Sequence, residues 1–160
     1  MLLFSGSSSL STSKRSTLLT SIKSHCINVE SIDSVYIHLV KLTSHSDSIS
    51  SHQRKFLEAL LDYGDHDRLP GTSEAIEGAS HNIIYVLPRP GSISPWSSKA
   101  TDIAIICNLG QCLERIERGV AFVYTTIDNA SLTPEQIKSF AYLLHDRMTQ
   151  SIQLSPPLQE

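Results

Sequence analysis

The sequence predicts an α+β fold of two similar halves, in which antiparallel strands carry helices packed on one face. Short apolar runs, such as residues 83–87, are typical of buried strands. Longer stretches with apolar residues three and four positions apart, such as residues 99–107, are typical of helices. Both kinds of segment recur at an offset of 84 residues, as in the pair Phe56 and Phe140. This recurrence indicates an internal repeat.

The first half is predicted to span residues 1–64 and to follow the order strand, helix, strands, helix. Its expected elements are a strand at residues 2–4, a helix at about 10–23, strands within about 31–42 and a helix at 51–63. The first 29 residues are also rich in serine and have no acid before Glu30, a composition typical of an organellar transit peptide. Because the repeat gives this segment a counterpart in the second half, we interpret it as part of the fold.

The second half is predicted to span residues 81–150, after a linker at 65–80 that mixes glycine, acids and a proline. Its expected elements are a strand at 81–89, a helix at 99–107 ended by Gly110, extended segments at 113–117 and 120–126 hinged at Gly119, and a last helix starting at Thr133. That last helix should bury Ile137, Phe140, Leu144 and Met148. Residues 151–160 contain paired prolines and are predicted to start a second linker.

Residues 89–103 combine a stiff turn, a tryptophan and a helix start. Pro90 and Pro95 fix φ on either side of Gly91, so the loop has a defined shape. Ser97 or Ser98 is expected to cap a helix that begins near residue 99, and a helix N-terminus favours anions such as phosphate or a carboxylate. Ordinary capping without a ligand is the structural alternative.

The repeat sets this loop apart from its counterpart at residues 7–14, which has neither the prolines nor the tryptophan. Trp96 is therefore a candidate for contact with another domain, because a large aromatic side chain is costly to leave in water. Packing of Trp96 inside its own domain is the alternative.

Three segments resemble one known family. Residues 89–103 closely resemble a segment of the phosphoribosylformylglycinamidine synthases, the large amidotransferases of purine biosynthesis, with Ser92 where the family usually has threonine. Residues 115–119, Arg-Ile-Glu-Arg-Gly, and residues 144–149, Leu-His-Asp-Arg-Met-Thr, resemble a strand turn and a helix of the same family, in the same order. A departure lies at residues 104–109, where the family more often has histidine at Ile105 and glycine at Asn108.

The resemblance covers essentially the whole chain and implies the N-terminal domain of that family, whose two halves are similar to a dimer of the small PurS subunit. The complete protein would convert formylglycinamide ribonucleotide (FGAR) to its amidine (FGAM) with ATP and glutamine. A chain of 160 residues has no room for the ATP-binding synthetase and glutaminase regions, so we expect it to be inactive alone. ATP and Mg²⁺ would bind in the synthetase region, and this chain would bind no cofactor.

The partners implied by the resemblance are the synthetase and glutaminase regions of the same protein. A stand-alone PurS-like scaffold that binds a separate synthetase is the alternative, and a small phosphate-binding protein is a third hypothesis. The candidate interdomain or ammonia-channel contacts are Arg89, Ser94, Pro95, Trp96, Ser97, Ser98, Lys99, Thr101 and Asp102.

The other charged motifs are interpreted as structural, and no catalytic residue is expected in this chain. These residues are Arg115, Glu117, Arg118, His145, Asp146 and Arg147. His145 and Asp146 could suggest a base and its orienting acid, but neighbours on a helix point about 100° apart and do not readily share a hydrogen bond.

Composition excludes several other classes of function. The net charge is −3 and the thirteen Lys and Arg residues are scattered, which gives no basic field for nucleic acid. The three cysteines lack metal-site spacing, and the apolar run at residues 2–4 is too short for a secretory signal. We therefore expect a cytoplasmic domain with no metal site and no membrane partner.

Overall fold

One antiparallel sheet of five strands, ordered β1-β2-β4-β3-β5, forms the centre of the computed structural model. The structure describes residues 1–45, 48–66, 69, 72–78 and 82–157, apart from the side chains of residues 73 and 77. The elements are β1 (Leu2–Ser8), α1 (Thr12–Lys23), β2 (Val29–Leu42), α2 (Ser51–Leu60), α3 (Thr72–Glu77), β3 (Ile83–Pro88), α4 (Pro95–Ile106), β4 (Leu113–Thr126), α5 (Pro134–Phe140), a 3-10 turn (Ala141–Leu143) and β5 (Gln150–Gln153). The predicted α+β class is confirmed.

The long strands β2 and β4 pair at the middle of the sheet, with Tyr36 opposite Val120 and Lys41 opposite Arg115. The bounds of β4 are those of β2 shifted by 84 residues, which is compatible with the predicted repeat. The prediction of a hinge at Gly119 is wrong, because β4 runs through this residue without a break. Gly119 is needed instead where β3 approaches closely, since a Cβ there would lie 2.8 Å from the backbone oxygen of Val86.

Successive side chains of β4 point to opposite faces of the sheet, so their contacts show which face each helix covers. Phe122 and Tyr124 belong to the apolar cluster that α1 and α5 cover, and Ile116 belongs to the cluster that α2 and α4 cover. These positions are all even-numbered, so the four helices share one face, as predicted. Ala121 and Val123 point the other way and pack with Ile76 of α3. The short helix α3 therefore covers part of the opposite face.

A buried carboxylate at Asp33 anchors both the region around α3 and α1. Its Oδ2 accepts hydrogen bonds from Leu69 N at 2.8 Å and Thr72 Oγ1 at 3.0 Å, and its Oδ1 lies 3.1 Å from Arg15 Nη1. The predicted linker at 65–80 thus contains a helix tied to the sheet. Parts of three predicted segments lie outside the described residues. They are residue 81, where we expect the second half to start, and the linker residues 67–68, 70–71, 79–80 and 158–160.

The end of the second half differs from the predicted single helix. The start at Thr133 is confirmed, with Thr133 as N-cap and Pro134 as first helical residue, but α5 ends at Phe140. Residues 144–149 form a turn in which Asp146 Oδ1 accepts from Met148 N at 2.9 Å, a local bond that competes with helix formation. Met148 is 84% exposed rather than buried. Residues 151–153, expected to start a linker, complete β5 beside β3.

Helix α4 ends at a left-handed residue, Asn108, and not at Gly110 as predicted. Asn108 has φ of 66°, and its N–H donates to Ile105 O, while Leu109 N donates to Ala104 O, both at 3.0 Å. This is a Schellman ending, in which glycine is the usual left-handed residue and asparagine is the next best. The family's glycine and this chain's asparagine therefore suit the same backbone conformation.

We expect Asn108→Ala to lower the free energy of unfolding by about 1 kcal/mol, because a Cβ without a compensating polar group disfavours the left-handed conformation. Asn108→Gly, the matched control, should be at least as stable as the natural chain. Urea unfolding followed by circular dichroism measures both. Equal midpoints for the alanine and glycine variants would contradict this account of the helix end.

Candidate interdomain contact site

The loop at residues 89–92 is a tight turn whose shape the sequence predicts. Ser92 N donates to Arg89 O at 3.1 Å, and Gly91 has φ of +81° directly after Pro90. This is the arrangement of a type II turn, which favours proline followed by glycine. Arg89 then fixes the turn to the residue 144–149 turn, because its Nε donates to Arg147 O at 2.9 Å and its Nη2 bonds the same oxygen.

Helix α4 begins one turn earlier than predicted. Ser94 is the N-cap, its Oγ accepts from Ser97 N at 3.1 Å, and Pro95 is the first helical residue. Ser97 is fully buried and donates to Ile116 O at 2.5 Å, so its hydroxyl cannot serve as a cap near residue 99. Proline after serine starts α4 by the same chemistry that starts α5.

The anion at this helix start is the protein's own Glu117. Ser94 Oγ donates to Glu117 Oε1 at 2.7 Å, and Ser94 N donates to Oε2 at 3.4 Å. Glu117 is buried, and its Oε1 also accepts from Arg118 N at 2.9 Å. A carboxylate of the chain therefore already receives the hydrogen bonds of the N-cap residue, while phosphate binding near Ser97 to Lys99 remains a prediction.

Beside the helix start, the guanidinium of Arg118 lies between two aromatic rings. Its Cζ is 4.5 Å from the ring centre of Tyr36 and 4.8 Å from that of Trp96, within the range of cation–π contact. Arg118 Nη1 also donates to the hydroxyl of Tyr63 at 3.3 Å. Trp96 is half-buried: one part of its side chain packs within its own domain, and another part is exposed at the surface.

A buried histidine lies beneath this stack. The ring of His38 is 5.5 Å from that of Trp96, its Nε2 is 2.8 Å from Tyr63 Oη, and its exposed fraction is 0%. Burial, aided by the positive charge of Arg118, lowers the pKa of His38 from 6.5 to about 4. An interaction with the backbone of Phe4 acts in the opposite direction and raises the pKa. Among the described residues, His38 Nδ1 has no partner of normal hydrogen-bond geometry.

The ring of His38 requires glycine on the neighbouring strand β1. A Cβ at Gly6 would lie 2.6 Å from His38 Cε1, and Gly6 falls where the pairing of β1 with β2 shifts register. The close approach brings the imidazole edge directly against the backbone of β1, which explains its complete burial.

Together these elements line an open groove, which we call the Arg118 groove. Among the residues that the structure describes, its lining contains two arginines and no carboxylate: Tyr36, Pro88, Arg89, Ser92, Ile93, Ser94, Pro95, Trp96, Arg118, Gly119, Val120, Met148, Thr149 and Gln150. Ile93 is 60% exposed at one part of it and Met148 is 84% exposed at another. The groove therefore combines positive charge with exposed apolar side chains.

The structure gathers only some of the residues that the sequence singles out. Arg89, Ser94, Pro95 and Trp96 line the Arg118 groove, whereas Ser97 is buried and Glu117 accepts a hydrogen bond from the N-cap residue Ser94. Three others lie exposed on α4, namely Ser98, Lys99 and Asp102. Thr101 Oγ1 accepts from Ile116 N at 3.1 Å and joins α4 to β4.

The charged residues at the end of the second half have structural contacts. His145 Nδ1 lies 2.7 Å from Ala141 O, and Asp146 closes the 144–149 turn. Arg147 contributes its backbone oxygen to Arg89, while Arg115 lies in β4 opposite Lys41.

Sequence reasoning missed Tyr36, His38 and Tyr63, which complete the Arg118 groove and the layer beneath it. One signal was present at His38, because the 84-residue offset pairs this histidine with Phe122, a core residue. A polar residue at a position expected to be apolar is informative.

The described part of the chain contains neither a cluster of metal ligands nor a membrane-spanning helix. Among those residues, no three His, Cys, Asp or Glu side chains lie close enough together to hold a metal ion. None of the helices described has the length and apolar character needed to span a lipid bilayer.

Comparison with known protein families identifies the domain. The family model described as formylglycinamide ribonucleotide amidotransferase N-terminal matches residues 35–159. The match includes residues 35–42 of β2, the turn at 89–92, α4 and β4, and it contains every residue that lines the Arg118 groove. The chain therefore belongs to the family of formylglycinamide ribonucleotide amidotransferase N-terminal domains.

Proposed function

We propose that this chain is the accessory N-terminal domain of an amidotransferase that converts FGAR to FGAM with ATP and glutamine in cytoplasmic purine biosynthesis. Through the Arg118 groove it docks on the synthetase region of the same protein and helps to couple ammonia transfer from the glutaminase region. ATP and Mg²⁺ bind in the synthetase region, and the chemistry takes place outside this chain. Membership of the family supports the reaction, and the surface of the groove supports the docking.

The observation that carries the docking proposal is the exposure of Ile93 and Met148 in one groove beside the half-buried Trp96. Apolar side chains clustered in this way favour coverage by another protein surface, and tryptophan and arginine are the residues most often central to such contacts. Arg89 holds the two loops that carry Ile93 and Met148 together through the Arg147 carbonyl. The surface is therefore fixed in shape before a partner arrives.

A matched pair of exposed isoleucines tests the docking. In a complete family amidotransferase that carries this chain as its N-terminal domain, Ile93→Asp should lower the FGAM formed per glutamine hydrolysed by about tenfold, since a buried charge opposes docking. Ile127→Asp is the control, because Ile127 is 67% exposed and lies outside the groove lining.

Both product formation and glutamine hydrolysis are measured, and ammonia replaces glutamine in a parallel assay to check the synthetase itself. Coupling equal to that of the unaltered enzyme in Ile93→Asp would contradict the proposal, as would an equal loss in Ile127→Asp. Glutaminase activity or ATP hydrolysis by this chain alone would contradict its accessory role.

A further inference from the structure

The cation at the centre of the groove has no anionic partner within the described residues. Arg118 Nη1 donates a hydrogen bond to Tyr63, and the two rings lie within cation–π distance of its Cζ, but no carboxylate of the described residues lies within 4.0 Å of it. The neighbouring carboxylate of Glu117 bonds to Ser94 instead. Since a guanidinium carries five N–H donors in a fixed planar fork, Arg118 retains donors for an incoming acceptor.

The surroundings of Arg118 favour an anion. Arg89 adds a second positive charge to the lining, and its guanidinium donates to a neutral carbonyl, that of Arg147. Among the described residues the lining holds no aspartate or glutamate, and the neighbouring carboxylate of Glu117 is buried and bonded to Ser94. Positive charges along a groove with apolar walls concentrate the field on whatever enters it.

The apolar walls distinguish a peptide from a small anion. Ile93, Met148 and Pro95 are exposed next to the arginines, and a phosphate ion bound at Arg118 would leave them in water. An extended peptide covers such walls with its own apolar side chains while a carboxylate pairs with the guanidinium. Bidentate pairing with a carboxylate suits the planar fork of arginine.

We propose that the Arg118 groove binds an extended segment of the synthetase region in which a glutamate or aspartate pairs with Arg118 and a neighbouring apolar side chain packs on Ile93 and Met148. This inference rests on the proposed docking function and specifies the chemistry of the docked segment. Charge complementarity and the apolar walls together determine this choice of partner.

The chain contains its own probe for this interaction, because its single tryptophan, Trp96, lines the groove. The intrinsic fluorescence of Trp96 is titrated with the blocked peptide acetyl-Leu-Glu-Leu-amide and with acetyl-Leu-Gln-Leu-amide. The glutamate peptide should bind with a Kd about tenfold lower, and added salt should reduce this difference. Equal Kd values for the two peptides would overturn the proposal.

Two variants assign the preference to one side chain. Arg118→Gln should remove the preference for the glutamate peptide, whereas Arg115→Gln should keep it, because Arg115 lies outside the groove lining. Since Arg118→Gln also alters the environment of Trp96, the amide chemical shifts of residues 92–94 provide a second measure of binding, and circular dichroism verifies the fold. An unchanged preference in Arg118→Gln would overturn the proposal.

Inorganic phosphate serves as the small-anion probe. We expect it to compete only at concentrations well above those of the glutamate peptide, and competition at equal concentration would overturn the assignment to a peptide. The peptide assay uses this chain alone, so its failure is distinct from failure of the docking. If Ile93→Asp uncouples the complete enzyme while both peptides bind equally, the docking proposal is retained and the proposal of an acidic segment is rejected.

Discussion

Lowering the pH from 7 to 4 is expected to destabilise this fold by about 3 kcal/mol through His38 alone. His38 has a pKa of about 4 in the folded chain and 6.5 as its ordinary value, because burial and the Arg118 charge oppose protonation. Between these two values the unfolded chain binds a proton that the folded chain does not. His38 therefore imposes almost no free-energy penalty on folding above pH 6.5, and the penalty grows as the pH falls toward 4.

Urea unfolding at pH values from 7 to 4 measures this effect, and His38→Gln removes its source. Glutamine places a side-chain amide near the position of His38 Nε2, so it can keep a hydrogen bond to Tyr63 without titrating. The variant should show a much flatter dependence of unfolding free energy on pH across this window. His52→Gln is the control, since His52 is exposed on α2 and should leave the dependence of the natural chain unchanged.

A pH dependence in His38→Gln equal to that of the natural chain would show that other groups dominate. The difference in unfolding free energy between the variant and the natural chain at each pH isolates the effect of His38, because both proteins share the buried carboxylates Asp33 and Glu117.

Gly119→Ala is expected to lower the free energy of unfolding by about 2 to 3 kcal/mol. The new Cβ would lie 2.6 Å from Leu87 Cδ2 and 2.8 Å from Val86 O. The end of the leucine side chain can move, but the Val86 oxygen belongs to the backbone of β3 in its pairing with β4. The two strands must therefore separate locally.

Gly110→Ala is the matched control for that prediction. A Cβ at Gly110 would lie 3.4 Å from Ile105 Cγ1, an ordinary contact, so its effect should stay within about 0.5 kcal/mol. Urea midpoints of the two variants at pH 7 measure the difference. If Gly119→Ala were as stable as Gly110→Ala, the close approach of β3 to β4 would be contradicted.

Much of the fold was predictable because local chemistry and apolar periodicity agree along most of the chain. Thr133 and Pro134 start α5 where the sequence predicts, and α4 starts by the same pair of signals at Ser94 and Pro95 rather than at the predicted Ser97 or Ser98. Met148 fits the helical spacing of Phe140, yet the bond from Met148 N to Asp146 Oδ1 favours a turn. Competition between local polar bonds and apolar periodicity accounts for that difference.

The site was less predictable than the fold because its members come from distant parts of the chain. Trp96 was identified from its loop, but its contact with Arg118 and Tyr36 depends on the register of β2 against β4 and on the position of α4 above them. The burial of Glu117 likewise depends on where α4 begins. Such long-range geometry has no signature in the spacing of residues along one segment.

The stacking of Arg118 between Tyr36 and Trp96 also bears on the thermodynamics of association. A free arginine loses much of its rotamer freedom when a partner immobilises it, and this loss weakens binding. In this domain the two rings and the Tyr63 hydroxyl restrict the side chain during folding. A partner therefore meets a preorganised cation, and the entropic cost of ordering it falls on folding rather than on complex formation.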